Sequence, residues 1–194
     1  MPCTNAPPLA TFSATPSPWL IRWAHLIAPG TAVLDVACGS GRHLHWLANQ
    51  GHPVTGVDRD GAALASLADV GELIEADIEN APWPLTGRQF GGVVVTNYLW
   101  RPLIPQILAS VAPGGVLIYE TFAVGNETVG KPSRPDFLLR PGELLAACAA
   151  PNWRMVAYED GFLSKPARFV QRIAAVRLSD QPQASPARYP LQAV

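Results

Sequence analysis

Hydrophobic positions along the chain fall into two alternating patterns. Runs dominated by apolar side chains occupy 33–37, 53–57, 72–76, 91–96 and 114–120. Between them lie stretches in which apolar residues return at helical spacing: 41–50, with Leu44, Leu47 and Ala48 on one stripe and a stop at Gly51, then 60–68 and 101–111. A strand with one wet face alternates apolar and polar residues, whereas nearly continuous apolar runs between helices predict a parallel sheet covered on both faces. Before the first run, Ser17 is placed to cap a helix with Pro18 at its first position. Its apolar stripe is Trp19, Leu20, Trp23 and Ile27, and it ends near Pro29-Gly30 after about ten residues. Toward the other end, Pro141-Gly142-Glu143 opens a small-residue helix reaching 149. The last two apolar runs, 154–163 and 167–178, are separated only by a few residues around Lys165-Pro166. So short a connection permits a hairpin and no crossover helix, so the last strand should run antiparallel. The expectation is an α/β domain with a doubly wound, seven-stranded, mostly parallel sheet and helices on both faces.

Three segments stand outside this pattern. Residues 1–16 show little periodicity and are expected to be flexible, as is the tail 179–194, leaving 17–178 as one domain. Within it, 122–140 is a polar insertion with too few apolar positions for a strand or helix of its own. Insertions of this length in compact domains are usually functional or disordered; it is expected to act as a flap, the alternative being a disordered surface loop. Proline, 20 of 194 residues against a usual ~5%, concentrates in the first 18 residues, 132–141 and 182–190, which reinforces that division. A 48% hydrophobic content suffices for one sizeable core. The net charge of −1, with no block of like charges, gives no electrostatic reason to expect nucleic acid or an anionic membrane as partner. A small-molecule substrate is favoured. Cys3, Cys38 and Cys148 form neither a CxxC pair nor an even framework, which suits a reducing cytoplasm. No basic segment precedes an apolar leader, and no run approaches the ~20 apolar residues of a membrane span. A soluble, unexported, cytoplasmic protein is expected, with no pattern that specifies an oligomeric state.

Chemistry concentrates in VLDVACGSGRHLHWL, residues 33–47. Gly39 and Gly41 let the backbone turn sharply from strand to helix and expose bare peptide groups to a ligand. Ala37 and Cys38 complete the turn, Cys38 as a small residue that fits rather than as a nucleophile. Leu44 stands where a nicotinamide or flavin fingerprint has its third glycine, and no Gly-Lys-Ser/Thr of a Walker loop follows. Asp35, four residues before Gly39, can meet a cationic ligand group directly or through water and would repel a pyrophosphate. The ligand expected is a nucleoside without phosphates that carries an ammonium. Asp58, 17 residues beyond Gly41, lies near the ~20-residue spacing at which an acid meets ribose hydroxyls, with Arg59 beside it; its alternative role is a helix N-cap. Asp77 can accept from an exocyclic amine while Ile78 packs on the base, or it can simply form the turn ahead of Asn80 and Pro82. His43 and His45, two apart on a helix, face different directions and do not make a zinc pair. His43, in the first turn beside the glycines, is a candidate cofactor contact.

The series D-x-A-C-G-S-G, V-D and A-D-I resembles motifs I, II and III of the class I S-adenosylmethionine-dependent methyltransferases over residues 31–178. NYLWRP, YETFAVGNE and RPDFLLRPGEL resemble more narrowly the tellurite-resistance TehB-like methyltransferases. The resemblance implies a Rossmann-like fold, S-adenosylmethionine as cofactor with S-adenosylhomocysteine as product, no metal, and methyl transfer to a small-molecule acceptor. It places Arg22 as a candidate for the methionyl carboxylate and a carbonyl of Asn97 near the sulfonium. Tyr98, Arg101, Glu120, Phe122, Asn126 and Arg134 are candidates for the substrate side, formed by the N-terminal segment and the flap. Asn97 is followed directly by Tyr98, without the two prolines of amine-methylating relatives, which argues against a DNA amine or glutamine amide as acceptor. No general base stands out, so a soft or anionic nucleophile such as a thiol, tellurite or a selenium species is favoured. The rivals are an NAD-dependent oxidoreductase, disfavoured by Leu44 and the lack of Tyr-x-x-x-Lys, and a non-catalytic S-adenosylmethionine-binding module.

Overall fold

The computed structural model describes residues 15–67, 69–179 and 187–191; the expectation of flexibility for 1–14 lies outside the described residues. Seven strands form one sheet: β1 (Val33–Val36), β2 (Val54–Asp58), β3 (Glu72–Glu75), β4 (Phe90–Thr96), β5 (Val111–Phe122), β6 (Trp153–Ser164) and β7 (Ala167–Arg177). Their spatial order is β3-β2-β1-β4-β5-β7-β6. Strands β1 to β5 pair in parallel, and β7 runs antiparallel to both β5 and β6. Strand order reverses between β1 and β4, and in an open parallel sheet the crevice above that point takes the ligand.

The near-continuous apolar runs follow from burial on both faces. Val93, Val95, Leu117 and Tyr119 face one core, while Val94, Val116 and Ile118 face the other. Helices α1 (Pro18–Trp23), α2 (Arg42–Asn49) and α3 (Gly61–Ala65) cover the second face with Trp19, Leu20, Trp23, Leu44, Leu47 and Leu64. Helices α4 (Ile104–Ala109) and α5 (Glu143–Ala147) cover the first with Ile107 and Leu144. Helix α1 starts as its sequence predicts, Ser17 Oγ accepting from the Trp19 amide at 3.1 Å, then tightens into a 3-10 turn over Ala24–Leu26.

The structure departs from expectation in three places. Strand β5 begins at Val111, which pairs with Phe90, so the preceding helix ends at Ala109. The insertion 122–140 carries two 3-10 turns, Asn126–Thr128 and Pro135–Phe137, and is tied across its base by a bridge between Ala123 and Leu139. Leu138 and Leu139 are buried, which binds the segment to the core despite its polar composition. Residues 187–191 return to the domain: Tyr189 packs against the α1–α2 core, and His25 Nε2 lies 2.9 Å from the Pro190 carbonyl oxygen.

Candidate functional site

The turn leaving β1 is built from residues in left-handed conformation: Ala37 at φ 55°, Gly39 at 53° and Gly41 at 70°. At Gly41 a side chain is doubly excluded, because a Cβ would sit 2.5 Å from Leu67 Cδ1. Gly39 faces open space, so the ligand side of the turn is bare backbone. Cys38 is buried beneath it, against Gly56, where a Cβ would lie 2.9 Å from Cys38 Sγ. Burial, with Asp35 and Asp58 nearby, pushes the Cys38 thiol well above its ordinary range, so it packs as a neutral group. Asp58 ends β2 and ties the turn to that strand. One carboxylate oxygen accepts from the Gly39 amide at 2.7 Å and the other from the Asp60 amide at 3.0 Å. Helix α3 is capped by Asp60, which accepts from the Ala62 and Ala63 amides, and not by Asp58.

Asp35 is 1% exposed, and neither carboxylate oxygen has a hydrogen-bond partner. His43 is its neighbour, Nδ1 standing 3.5 Å away. The Ser17 amide donates to His43 Nε2 at 3.2 Å, so a neutral ring carries its proton on Nδ1, facing Asp35 and Thr96 Oγ1 at 3.3 Å. A buried carboxylate without a full partner is costly unless a ligand supplies a donor. Asp35 itself is not in the wall of a cavity, but its neighbour His43 lines one of about 420 Å³ together with Ala37, Cys38, Gly39, Arg42, Asp58, Thr96 and Asn97. It shares Ala37 and Asp58 with a second cavity of about 150 Å³, lined further by Arg59, Asp77, Ile78, Glu79 and Tyr98. Together they make a trough across the ends of β1, β2 and β4. Asp58 in the wall offers acceptors to ribose hydroxyls and Ile78 an apolar face to a base, while Asp35, next to the wall residue His43, offers negative charge to an ammonium, so the residues present suit S-adenosylmethionine.

Asp77 accepts from Asn80 Nδ2 at 2.9 Å and from the Glu79 amide at 3.1 Å, bonds that hold its carboxyl below the usual range. It therefore forms the turn and also lines the smaller cavity. Asn97 adopts φ 55°, and its Oδ1 receives Arg168 Nη1 at 3.4 Å. Two non-glycine residues in this conformation, Ala37 and Asn97, end the two strands that flank the switch point. Backbone strain of that kind is retained where the site needs it. A third cavity, about 220 Å³, meets the first at Asn97 and the second at Glu79 and Tyr98, and is walled by Leu99, Thr121, Phe122, Pro132 and Phe137. Burial, then Glu79 and Asp77, raises the Tyr98 phenol, which stays protonated, and its buried hydroxyl has no partner.

Other expected site residues are engaged elsewhere. Arg22 does not face the trough; it bonds Glu159 Oε1 of β6 at 3.1 Å and lies over Trp23. Arg101 holds the flap, donating to Glu143 at 2.6 Å and to the Asp136 and Leu138 carbonyls. Asn126 is buried, with Nδ2 on the Pro132 carbonyl and Oδ1 receiving the Phe169 amide, and so anchors the flap to β7. Glu120 is buried in an ionic network, accepting from Ser17 Oγ at 2.9 Å and Arg172 Nη1 at 3.0 Å. Arg134 is exposed, pairs with Asp136 and lies over Phe137. Two cations at the site escaped sequence reasoning. Arg42 lines the trough directly after Gly41, a place its position in the turn could have flagged. Arg168 reaches Asn97 from the β6–β7 hairpin, for which no local signal exists.

Residues 33–115 match the family described as methyltransferase domain. No curated protein matches the chain. Among solved structures, TehB from Haemophilus influenzae is 21% identical with a TM-score of 0.63, the alignment covering 82% of this chain and 61% of that one. This chain thus spans less than two thirds of TehB. An S-adenosylmethionine-dependent methyltransferase from Mesorhizobium loti is 16% identical at TM-score 0.62, covering 80% of this chain and 97% of that one. The glycopeptide N-methyltransferase MtfA in complex with S-adenosylmethionine is 19% identical at 0.55, covering 79% and 90%. Among the described residues no cluster could hold a metal ion and no helix is long and apolar enough to cross a membrane.

Proposed function

We propose that this S-adenosylmethionine-dependent methyltransferase delivers its methyl group to a small-molecule acceptor that is a soft or anionic nucleophile: a thiol, tellurite or a selenium species. The observation that carries the cofactor side is the buried carboxylate of Asp35 at the sheet's switch point, with no hydrogen bond among the described residues and only His43 beside it at 3.5 Å, next to a glycine turn with no third glycine. Asp35 answers the ammonium, Asp58 the ribose hydroxyls, and Asp77 with Ile78 the adenine. Arg42 takes the place expected of Arg22 opposite the methionyl carboxylate, since it lines the trough and has no ion-pair partner among the described residues.

The bound cofactor supplies a methyl carbon already activated by a sulfonium. What remains for the chain is to hold the acceptor in line at roughly 3 to 3.5 Å and to exclude water. Asn97, shared by trough and third cavity, marks where the two ligands meet, and the flap closes that cavity with Phe137 and Pro132. Tyr98 stays protonated and serves as a hydrogen-bond donor rather than a base. A reducing cytoplasm suits the two buried free thiols, Cys38 and Cys148.

Calorimetry with S-adenosylmethionine, S-adenosylhomocysteine and NAD tests the cofactor, and a methyl-transfer panel of thiols, tellurite, selenite and phenols tests the acceptor. Binding of the first two and turnover of a soft acceptor are expected. Binding of NAD in their place would establish the oxidoreductase instead, and cofactor binding without any turnover would favour an accessory module.

A further inference from the structure

We infer that the acceptor is a planar, apolar thiol of single-ring size, and not an inorganic oxyanion; this rests on the methyltransferase reading above and narrows it. The third cavity is walled by Tyr98, Leu99, Phe122, Pro132 and Phe137, so aromatic and apolar faces surround the space that meets the cofactor trough at Asn97. At about 220 Å³ it falls short of the ~300 Å³ at which drug-sized pockets begin, and suits one ring. Its charged wall is acidic: Glu79 lines it, and no arginine or lysine does. Arg134 pairs with Asp136 at 3.0 Å, Arg168 donates to Asn97 and Glu120, and Arg42 and Arg59 line the cofactor trough and not this cavity. Tellurite would give up its hydration to aromatic and apolar faces that it cannot fill, a costly exchange. An aromatic ring instead gains edge and face contacts with Tyr98, Phe122 and Phe137.

Among the described residues no histidine or lysine lines the cavity, and an acceptor that loses its proton to water before it enters needs no base there. A thiol, ordinarily near 8.5, meets that condition more readily than a phenol near 10. The thiolate sulfur forms the new carbon–sulfur bond as the sulfonium's methyl–sulfur bond breaks, its electron pair remaining on the departing thioether. Negative thiolate and positive sulfonium become two neutral thioethers.

The probes are thiophenol, sodium hydrosulfide and sodium tellurite. Thiophenol is expected to be methylated with a kcat/KM at least tenfold above hydrosulfide, and tellurite hardly at all. Calorimetry should show thiophenol binding to the protein loaded with S-adenosylhomocysteine. Phe137→Ala should raise the thiophenol KM about tenfold and lower hydrosulfide kcat/KM by far less, with S-adenosylhomocysteine still bound; Phe137→Leu should recover part of the thiophenol loss. Preference for tellurite or hydrosulfide, or equal damage by Phe137→Ala to thiophenol and hydrosulfide, overturns the inference and leaves methyl transfer standing. Failure to bind S-adenosylhomocysteine overturns the methyltransferase reading and this one with it.

Discussion

Replacing Asp58 by asparagine separates two roles that the structure gives one carboxylate. Its two oxygens accept from the Gly39 amide at 2.7 Å and the Asp60 amide at 3.0 Å, and the same group lines the cofactor trough. An asparagine of the same shape presents one neutral oxygen and one amino group. It can keep the half-buried Gly39 bond, while the exposed Asp60 amide turns to water. Hydrogen bonds to charged groups contribute about 1.5–3 kcal/mol and neutral ones about 0.5–1.5, so Asp58→Asn should cost about 1–2 kcal/mol of folding stability. For a domain of this size that lowers Tm by roughly 2–8 °C. Ribose recognition loses at least one charge-assisted bond, roughly 1.5–3 kcal/mol, or about a 10- to 150-fold rise in Kd. The assay pairs calorimetry with S-adenosylhomocysteine against thermal unfolding with and without it. A variant that lost only stability keeps the same ligand-induced increment in Tm, because that increment depends on ligand concentration over Kd. A lowered Tm with unchanged Kd would refute ribose recognition and leave Asp58 as a structural clamp.

Gly41→Ala meets both a positive φ and the Leu67 methyl, so a loss of roughly 1–3 kcal/mol by urea unfolding is expected, together with weakened cofactor binding. Arg101→Ala should raise hydrogen exchange across 122–140 and lower acceptor turnover while sparing S-adenosylhomocysteine affinity. That anchor is also pH-dependent: burial works to raise Glu143, but the bonds from Arg101 and the Arg140 amide win and hold it below the usual carboxylate range. Its contribution is therefore complete above pH ~4.3 and is lost as pH falls through the depressed value, measurable as flap exchange in wild type but not in Glu143→Gln. Cys38 and Cys148, both buried, the latter pushed up to about 12, should resist alkylation in the native protein at pH 8, and Cys38→Ala should retain methyl transfer.

How far the chain could be understood before its fold was known depended on the range of each interaction. The Ser17–Pro18 cap, the glycine turn and the acids ending β1 and β2 are local, and their residue types carry their geometry. The capping of α3 by Asp60 rather than Asp58 was a matter of two residues, decided by which side chain faces the first amides. Arg22 and Glu159 are far apart in sequence and meet only because α1 lies over the β6–β7 hairpin. The flap was deceptive for a related reason. Its composition is polar, yet Leu138 and Leu139 find a core already supplied by the rest of the sheet, and Arg101 and Asn126 serve its closure. Residues of functional type were thus recruited as fasteners, which no local pattern distinguishes.

The Ser17 amide on His43 and its hydroxyl on Glu120 bring the polypeptide into the domain directly at the lip of the catalytic cleft. A bulky label at Ser17 would therefore sit over that cleft, whereas one at Arg177, which pairs with Trp153 at the opposite pole of the sheet, would stand clear of it.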